Sequence, residues 1–512
     1  MRINIFLILL FLEFFLSASS NVFSQNIYVA HDGNDINPGT ISQPLFSLAS
    51  AITRVKVGDT IFVRGGTYLY NSTITISKSG TSTLAYYIFA YKNERPILDF
   101  SAMSFSSSNK GISLKGSYWY IKGLSIKGAG DNGMEINGGS NNTVELCSFY
   151  ENRDTGLQLS NGSSNNRIIN CDSYFNADPP SFENADGFAP KLTVGTGNYF
   201  YGCRAWNNCD DGWDGYLRPA NNITTTLENC WSFNNGYLKD GTDPGADGDG
   251  NGFKMGGGDN GNSARLMHHM TLIKCVAFNN KVKGFDQNNN DGSMTLLNCT
   301  GFSNLTADYR ITRQVNTGQT VTIKNSISFL GAVDLGSFVV QEKNNWRPPF
   351  SVSAQDFISI DPASASTPRK EDGSLPDITF LHLAPGSSFI DAGVDVGLPY
   401  FGLAPDLGAF EYDGPTSVSP EPIIGSSVVL NQNFPNPFNP ETKITYILPG
   451  EMKIKLEVFD MLGRSVSVLA DGNQTAGTYT VTFNGSGISS GIFFYRLSTN
   501  VTSITKQFVL IK

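Results

Sequence analysis

The chain has 512 residues, with 45 acidic side chains against 36 basic ones, a formal net charge of −9 and a pI near 5.1. That length leaves room for more than one domain and a large core. The acidic balance excludes a nucleic-acid binder, which presents a basic face, and requires that any acidic ligand be met by a local cation.

At the amino end, Arg2 is followed by the apolar run Ile5 to Leu12, too short to cross a bilayer. Residues 1–25 therefore read as a signal peptide, with Glu13 interrupting the run and cleavage expected between Ala18 and Gln25. The protein is expected to be exported through the periplasm and to be secreted or held at the cell surface, as a monomer. No later stretch is long and apolar enough for a membrane span. Between Ile27 and Tyr68 the pattern predicts a cap containing a helix near Leu48 to Arg54. His31 and Asp32 belong to that cap rather than to a catalytic site.

Six of the seven cysteines recur in one phrase, with an aromatic at plus three and an asparagine at plus five. It runs Cys147/Tyr150/Asn152, Cys171/Tyr174/Asn176, Cys203/Trp206/Asn208, Cys230/Phe233/Asn235, Cys275/Phe278/Asn280 and Cys299/Phe302/Asn304. A further copy has Ser326 with Phe329. Seven cysteines in an exported chain ordinarily suggest disulfides, but a period of about two dozen residues marks a solenoid. With β-branched, aromatic, Asn and Gly residues and no helical period, the unit is a coil of short strands: an all-β parallel β-helix. Equivalent residues then lie about 4.8 Å apart on successive rungs. The cysteines form an interior column of reduced, small apolar side chains. The asparagines form a ladder at a turn, where Asn tolerates left-handed backbone and bonds along the stack.

A second phrase, glycine then an apolar residue, follows as Gly133-Met134, Gly156-Leu157, Gly187-Phe188, Gly212-Trp213, Gly252-Phe253 and Gly284-Phe285. It sets Asp186 and Asp211 immediately before the glycine, and Asp214, Lys254 and Asp286 two after it, on successive rungs. With Asp210, four aspartates converge on one sheet face. Clustered carboxylates repel unless a cation sits among them, and an all-oxygen set suits a hard ion such as Ca2+. A lysine beside a dication is a candidate base, because the positive field disfavours its protonated form. The loop Asp243 to Asn251 is rich in oxygen donors but lacks the glutamate of an EF-hand, Gly258 standing twelfth from Asp247. It reads as a flexible insertion, with a second structural ion as the alternative. His268-His269 has no spaced partner for a transition metal.

The coils are expected to wind down through Asp406 to Tyr412. Residues 413–427, rich in Pro, Ser and Gly, read as a linker, and 428–512 as a small β-sandwich. The tail carries Asn-Phe-Pro-Asn-Pro-Phe-Asn-Pro at 433–440, a Phe-Asp-Met-Leu-Gly turn at 459–463 and a basic last residue, Lys512. It resembles the C-terminal sorting domain of type IX secretion substrates, which implies the type IX machinery as a partner.

Residues 26–412 resemble the calcium-dependent pectate lyases of polysaccharide lyase family nine. The likeness rests on Ala-Asp-Gly-Phe at 185–188, Asp-Asp-Gly-Trp-Asp at 210–214, Gly-Asn-Gly-Phe-Lys at 250–254 and Lys-Gly-Phe-Asp-Gln-Asn at 283–288. It implies a right-handed parallel β-helix whose calcium ligands are Asp186, Asp210, Asp211 and Asp214, with Lys254 as the Brønsted base. The implied reaction is eliminative cleavage of polygalacturonate. An ion on the uronate carboxylate acidifies the C5 proton, and a lysine base favours alkaline working pH. Lys283 and Arg218 are candidate contacts to further uronates. Three alternatives stay open: a lyase for another uronate polymer such as alginate, a hydrolase with paired carboxylates, and a calcium-stabilised surface solenoid without activity.

Overall fold

The computed structural model describes residues 25–414, apart from 246–247 and 260–264, and residues 428–510, apart from 434–435, 462 and 501. Residues 1–24 of the expected signal peptide 1–25, and residues 415–427 of the expected linker 413–427, lie outside the described residues.

Three parallel sheets wind through the first part of the chain, one of twelve strands and two of ten. The twelve-stranded sheet starts at Asn26–Val29 and ends at Val340–Glu342. A ten-stranded sheet, running from Ile74–Ile76 to Val333–Leu335, carries the candidate site, and the other runs from Gly66–Leu69 to Ile327–Phe329. The helix Leu48–Arg54 forms where expected, capped by Ser47, whose hydroxyl accepts from the Ser50 N–H at 3.1 Å. Its buried Leu48, Ala51 and Ile52 close the open end of the stack, where unpaired strand edges would otherwise invite association.

Six cysteines line the interior as free thiols, each facing backbone carbonyls, for instance Cys203 Sγ to Ile168 O at 3.4 Å. The asparagine ladder is continuous. Nδ2 of Asn152, Asn176, Asn208, Asn235 and Asn280 each donates to Oδ1 of the next at 2.8–3.0 Å, and Asn304 ends the run on Asp308 Oδ1 at 2.8 Å. The left-handed backbone is not at the ladder residues, however. It falls on the residue before each of them, Glu151, Phe175, Asn207, Asn234, Asn279 and Ser303, at φ of 49° to 60°. The ladder side chains are drawn inward, and the tight bend is made one position earlier. This packing also explains the glycine phrase. A Cβ on Gly252 would stand 2.8 Å from Asn280 Nδ2 and 2.7 Å from Gly284 O.

The coils end sooner than expected. Beyond Glu342 the chain leaves the stack and runs back across the outside of the last-named ten-stranded sheet. There the plus-three aromatics face outward and stack, Tyr174 on Trp206 at 4.4 Å and Phe233 on Phe278 at 4.6 Å. Phe357, Leu375, Phe380, Leu383, Phe389 and Leu407 bury that stack. Arg204 and Arg369 clasp Asp172 between them, and Arg204 Nη1 also donates to Ala365 O at 2.8 Å. Residues 428–510 form separate three- and four-stranded antiparallel sheets over a core that includes Ile444, Tyr446, Leu456, Tyr495 and Phe508.

Candidate active site

Beneath the site runs an inward aromatic stack made by the four residues that follow Gly187, Gly212, Gly252 and Gly284 and, on the next rung, by Tyr309, which follows Asp308. Phe188, Trp213, Phe253, Phe285 and Tyr309 lie 4.8, 5.0, 5.2 and 4.8 Å apart. It pins the strands so that the next residue of each points outward in register: Asp214 beside Lys254, Lys254 beside Asp286, and Asp286 beside Arg310. The register expected from the glycines is therefore the one the strands adopt. A bulge after Asp214 is braced by His268, whose Nδ1 lies 2.8 Å from Gly215 O and Nε2 2.8 Å from Thr225 Oγ1. Burial pushes this histidine down to about 4, so it is a neutral brace at working pH.

Asp186, Asp210 and Asp211 each offer a carboxylate oxygen within 4.8 Å of the others, and all three are buried. Asp211 Oδ1 accepts from Asn251 N and Nδ2 at 2.7 and 2.8 Å, and Asp210 Oδ1 from Asp249 N at 2.7 Å. Asp214 stands slightly apart, with Oδ1 on Tyr216 N at 2.9 Å. Two ammonium groups interleave the carboxylates. Lys254 Nζ lies 2.9 Å from Asp211, 3.0 Å from Asp249 and 4.0 Å from Asp214. Lys191 Nζ lies 2.6 Å from Asp186 and 3.5 Å from Asp214.

Burial pushes the Asp186 carboxyl up to about 7 and that of Asp211 up to about 8, despite the attraction of Lys191 and Lys254 respectively. Asp210 is raised well above the carboxylate range by burial and by Asp211. Burial also works against Asp214, but Lys254 and Lys191 more than offset it and hold it below its ordinary value. These are carboxylates short of positive charge, which a hard dication supplies. Asn251, bonded to Asp211, also carries a buried Oδ1 that has no hydrogen-bond partner among the described residues and offers a neutral oxygen beside the carboxylates. The donor set fits Ca2+. By themselves, these residues do not give Lys254 the lowered pKa expected beside a dication. Its burial lowers it, but Asp211, Asp214, Asp210 and Asp249 outweigh that and raise it well above the ordinary lysine value.

The other candidates are less central. Lys283 pairs with Asp286 at 3.0 Å on the rung beyond Lys254. Arg218 is exposed and engaged by Asp259 and Tyr216. The insertion is anchored on both sides, through Asp243 to Lys281 at 2.7 Å and through Asp249 to Lys254. Sequence reasoning missed Lys191, Asn251 and the placement of Asp249 over the site. Lys191 had one signal, a lone cation closing the strand that follows Asp186.

Residues 27–329 match the Pel9A-like right-handed β-helix region, and residues 432–512 the secretion system C-terminal sorting domain. Pectate lyase L of Paenibacillus polymyxa is 42% identical over 405 residues, covering 74% of this chain and 86% of that protein. Pectate lyase L of Dickeya dadantii is 38% identical, covering 75% and 90%. Among solved structures, pectate lyase Pel9A superposes with a TM-score of 0.69 at 38% identity, covering 77% of this chain and 98% of that one. A rhamnogalacturonan lyase superposes with a TM-score of 0.63 at 28% identity, covering 70% and 97%. Fold, site and relatives together define a polysaccharide lyase of the parallel β-helix class. Within that class the chain belongs to the Pel9A-like family, and its sorting domain marks it for type IX export to the cell surface or beyond. Among the described residues no helix is long and apolar enough to cross a membrane.

Proposed function

We propose that the chain is a pectate lyase that cleaves polygalacturonate by β-elimination, with Lys254 as base and Asp186, Asp210, Asp211 and Asp214 as ligands of Ca2+. The observation that carries the reading is the register that sets Lys254 on the rung beside Asp214, its ammonium 2.9 Å from Asp211. Ca2+ in this set would neutralise the carboxylates that hold Lys254 protonated and draw charge from a uronate carboxylate, acidifying the neighbouring C5 proton.

Lys254, as the neutral amine, takes the C5 proton at Nζ. The electrons of the broken C5–H bond form the C4–C5 double bond as the C4–O bond breaks. The departing oxygen takes a proton from solvent water, leaving a hydroxyl end on one fragment and a 4,5-unsaturated uronate on the other, and Lys254 later returns its proton to solvent. Lys191 and the Thr155 hydroxyl, at 2.6 and 3.1 Å, fix Asp186 Oδ2 and so orient its other oxygen. Lys283 and Arg218 meet further uronate carboxylates along the chain. Residues 26–412 act as the lyase domain, 1–25 as a signal peptide, 413–427 as a linker and 428–512 as the sorting domain.

The test is incubation of the purified protein with polygalacturonate, following ultraviolet absorbance of unsaturated ends with and without a calcium chelator. Absorbance that rises and is abolished by the chelator supports the reading. No absorbance in the presence of calcium would sink it.

A further inference from the structure

On the outward column Asp214, Lys254, Asp286, Arg310 and Asp334, charges alternate rung by rung. Asp286 is satisfied by Lys283 at 3.0 Å. Arg310 differs from its neighbours. Its side chain is 47% exposed, it makes no side-chain hydrogen bond among the described residues, and its nearest carboxylate, Asp334, stands 3.7 Å from Nε. The nearby Arg313 and Arg265, by contrast, are both committed to the buried carboxylate of Asp291 at 3.0 and 2.7 Å. The strand Ala307–Ile311 holds Tyr309 and Ile311 inward, which fixes Arg310 on the outer face. It stands two rungs, or about 10 Å, beyond Lys254.

We infer that Arg310 is a specificity-determining residue that binds a uronate carboxylate of the acidic polysaccharide two rungs from the base. Its planar fork is unspent, and a carboxylate engages it bidentately where lysine offers only a point charge. The position also answers the net negative charge of the chain, since it places a cation beyond the carboxylate cluster where a polyanion continues along the sheet. The inference rests on the lyase reading of the site and adds to it a residue that Lys283 and Arg218 do not replace.

The experiment measures kcat and KM on polygalacturonate for the full chain with calcium, for wild type, Arg310→Ala and Arg310→Lys, with thermal melts in parallel. Losing a charged hydrogen-bond pair is expected to raise KM about tenfold for Arg310→Ala with kcat nearly unchanged. Arg310→Lys is expected to fall between, with a melting temperature matching wild type. A KM within twofold of wild type in both variants overturns the inference while leaving the lyase reading intact. A fall in kcat and melting temperature at unchanged KM also overturns it, assigning Arg310 to the ionic column alone. Failure of the wild type to cleave defeats the lyase reading, and this inference with it.

Discussion

Asn235→Ala tests whether the ladder is a structural spine or a decoration. Asn235 is fully buried, and its Nδ2 donates to Asn280 Oδ1 at 3.0 Å and Ser232 Oγ at 3.1 Å. Its Oδ1 accepts from both Asn208 N at 3.3 Å and Asn208 Nδ2 at 2.9 Å. After truncation Asn280 Oδ1 keeps the backbone N–H of residue 235, and Asn208 Nδ2 keeps Ser173 O. Asn208 N loses its side-chain acceptor. One stranded buried donor costs about 1–3 kcal/mol, and the lost side-chain bonds add about 1 kcal/mol, giving about 2–4 kcal/mol in all. The assay is urea unfolding of wild type and variant with calcium saturating, read from the midpoint at unchanged slope. Asn235→Leu is expected to be at least as damaging, because it fills the space without restoring an acceptor. A loss below about 0.5 kcal/mol would refute the reasoning and place the stability of the stack in its apolar columns instead.

Burial pushes the Asp308 carboxyl at the end of the ladder up to about 6, so the folded state holds its proton more tightly than the unfolded one. Its stabilising contribution is full below about pH 4 and is lost as pH rises through 6, and Asp308→Asn should gain about 2–3 kcal/mol relative to wild type at pH 8 compared with pH 4. Denaturant midpoints at the two pH values check this, and an equal effect at both contradicts it. Calcium should raise the melting temperature more at pH 8 than at pH 5, because Asp186 and Asp211, pushed up to about 7 and about 8, must shed protons to bind. Equal shifts at the two pH values contradict that. Arg369→Met leaves Asp172 paired with Arg204 but removes the clasp on the returning segment, and limited proteolysis should cut within residues 346–412 faster than in wild type. Unchanged cleavage rates tell against the clasp.

The solenoid was legible because its constraints repeat on every rung. An interior thiol, a ladder asparagine and a glycine beneath the next turn leave the same three marks each time. The site register was legible for the same reason, since Asp214, Lys254 and Asp286 keep one distance from their glycines. The returning segment was not legible. It has no period, and nothing in Phe357 or Phe380 tells which aromatics they cover until the plus-three side chains are known to face outward. The backbone bend was misassigned because asparagine itself tolerates the left-handed region, whereas packing draws each ladder side chain inward and puts the bend on its predecessor, even where that is Glu151 or Phe175. Asp249 escaped notice because its place over Lys254 depends on the path of an insertion. Lys191 escaped because it occurs in a single coil. The pKa of Lys254 follows from summed charges, which spacing alone does not give.

The central claim is that Lys254 removes the proton while the aspartates hold the ion. Its most direct test is Lys254→Ala, with calcium affinity measured by titration and turnover measured by ultraviolet absorbance on polygalacturonate. The account predicts a fall in kcat of about 100-fold or more, within the range of general-base losses, with calcium binding retained. Turnover within tenfold of wild type, with the ion still bound, would contradict it.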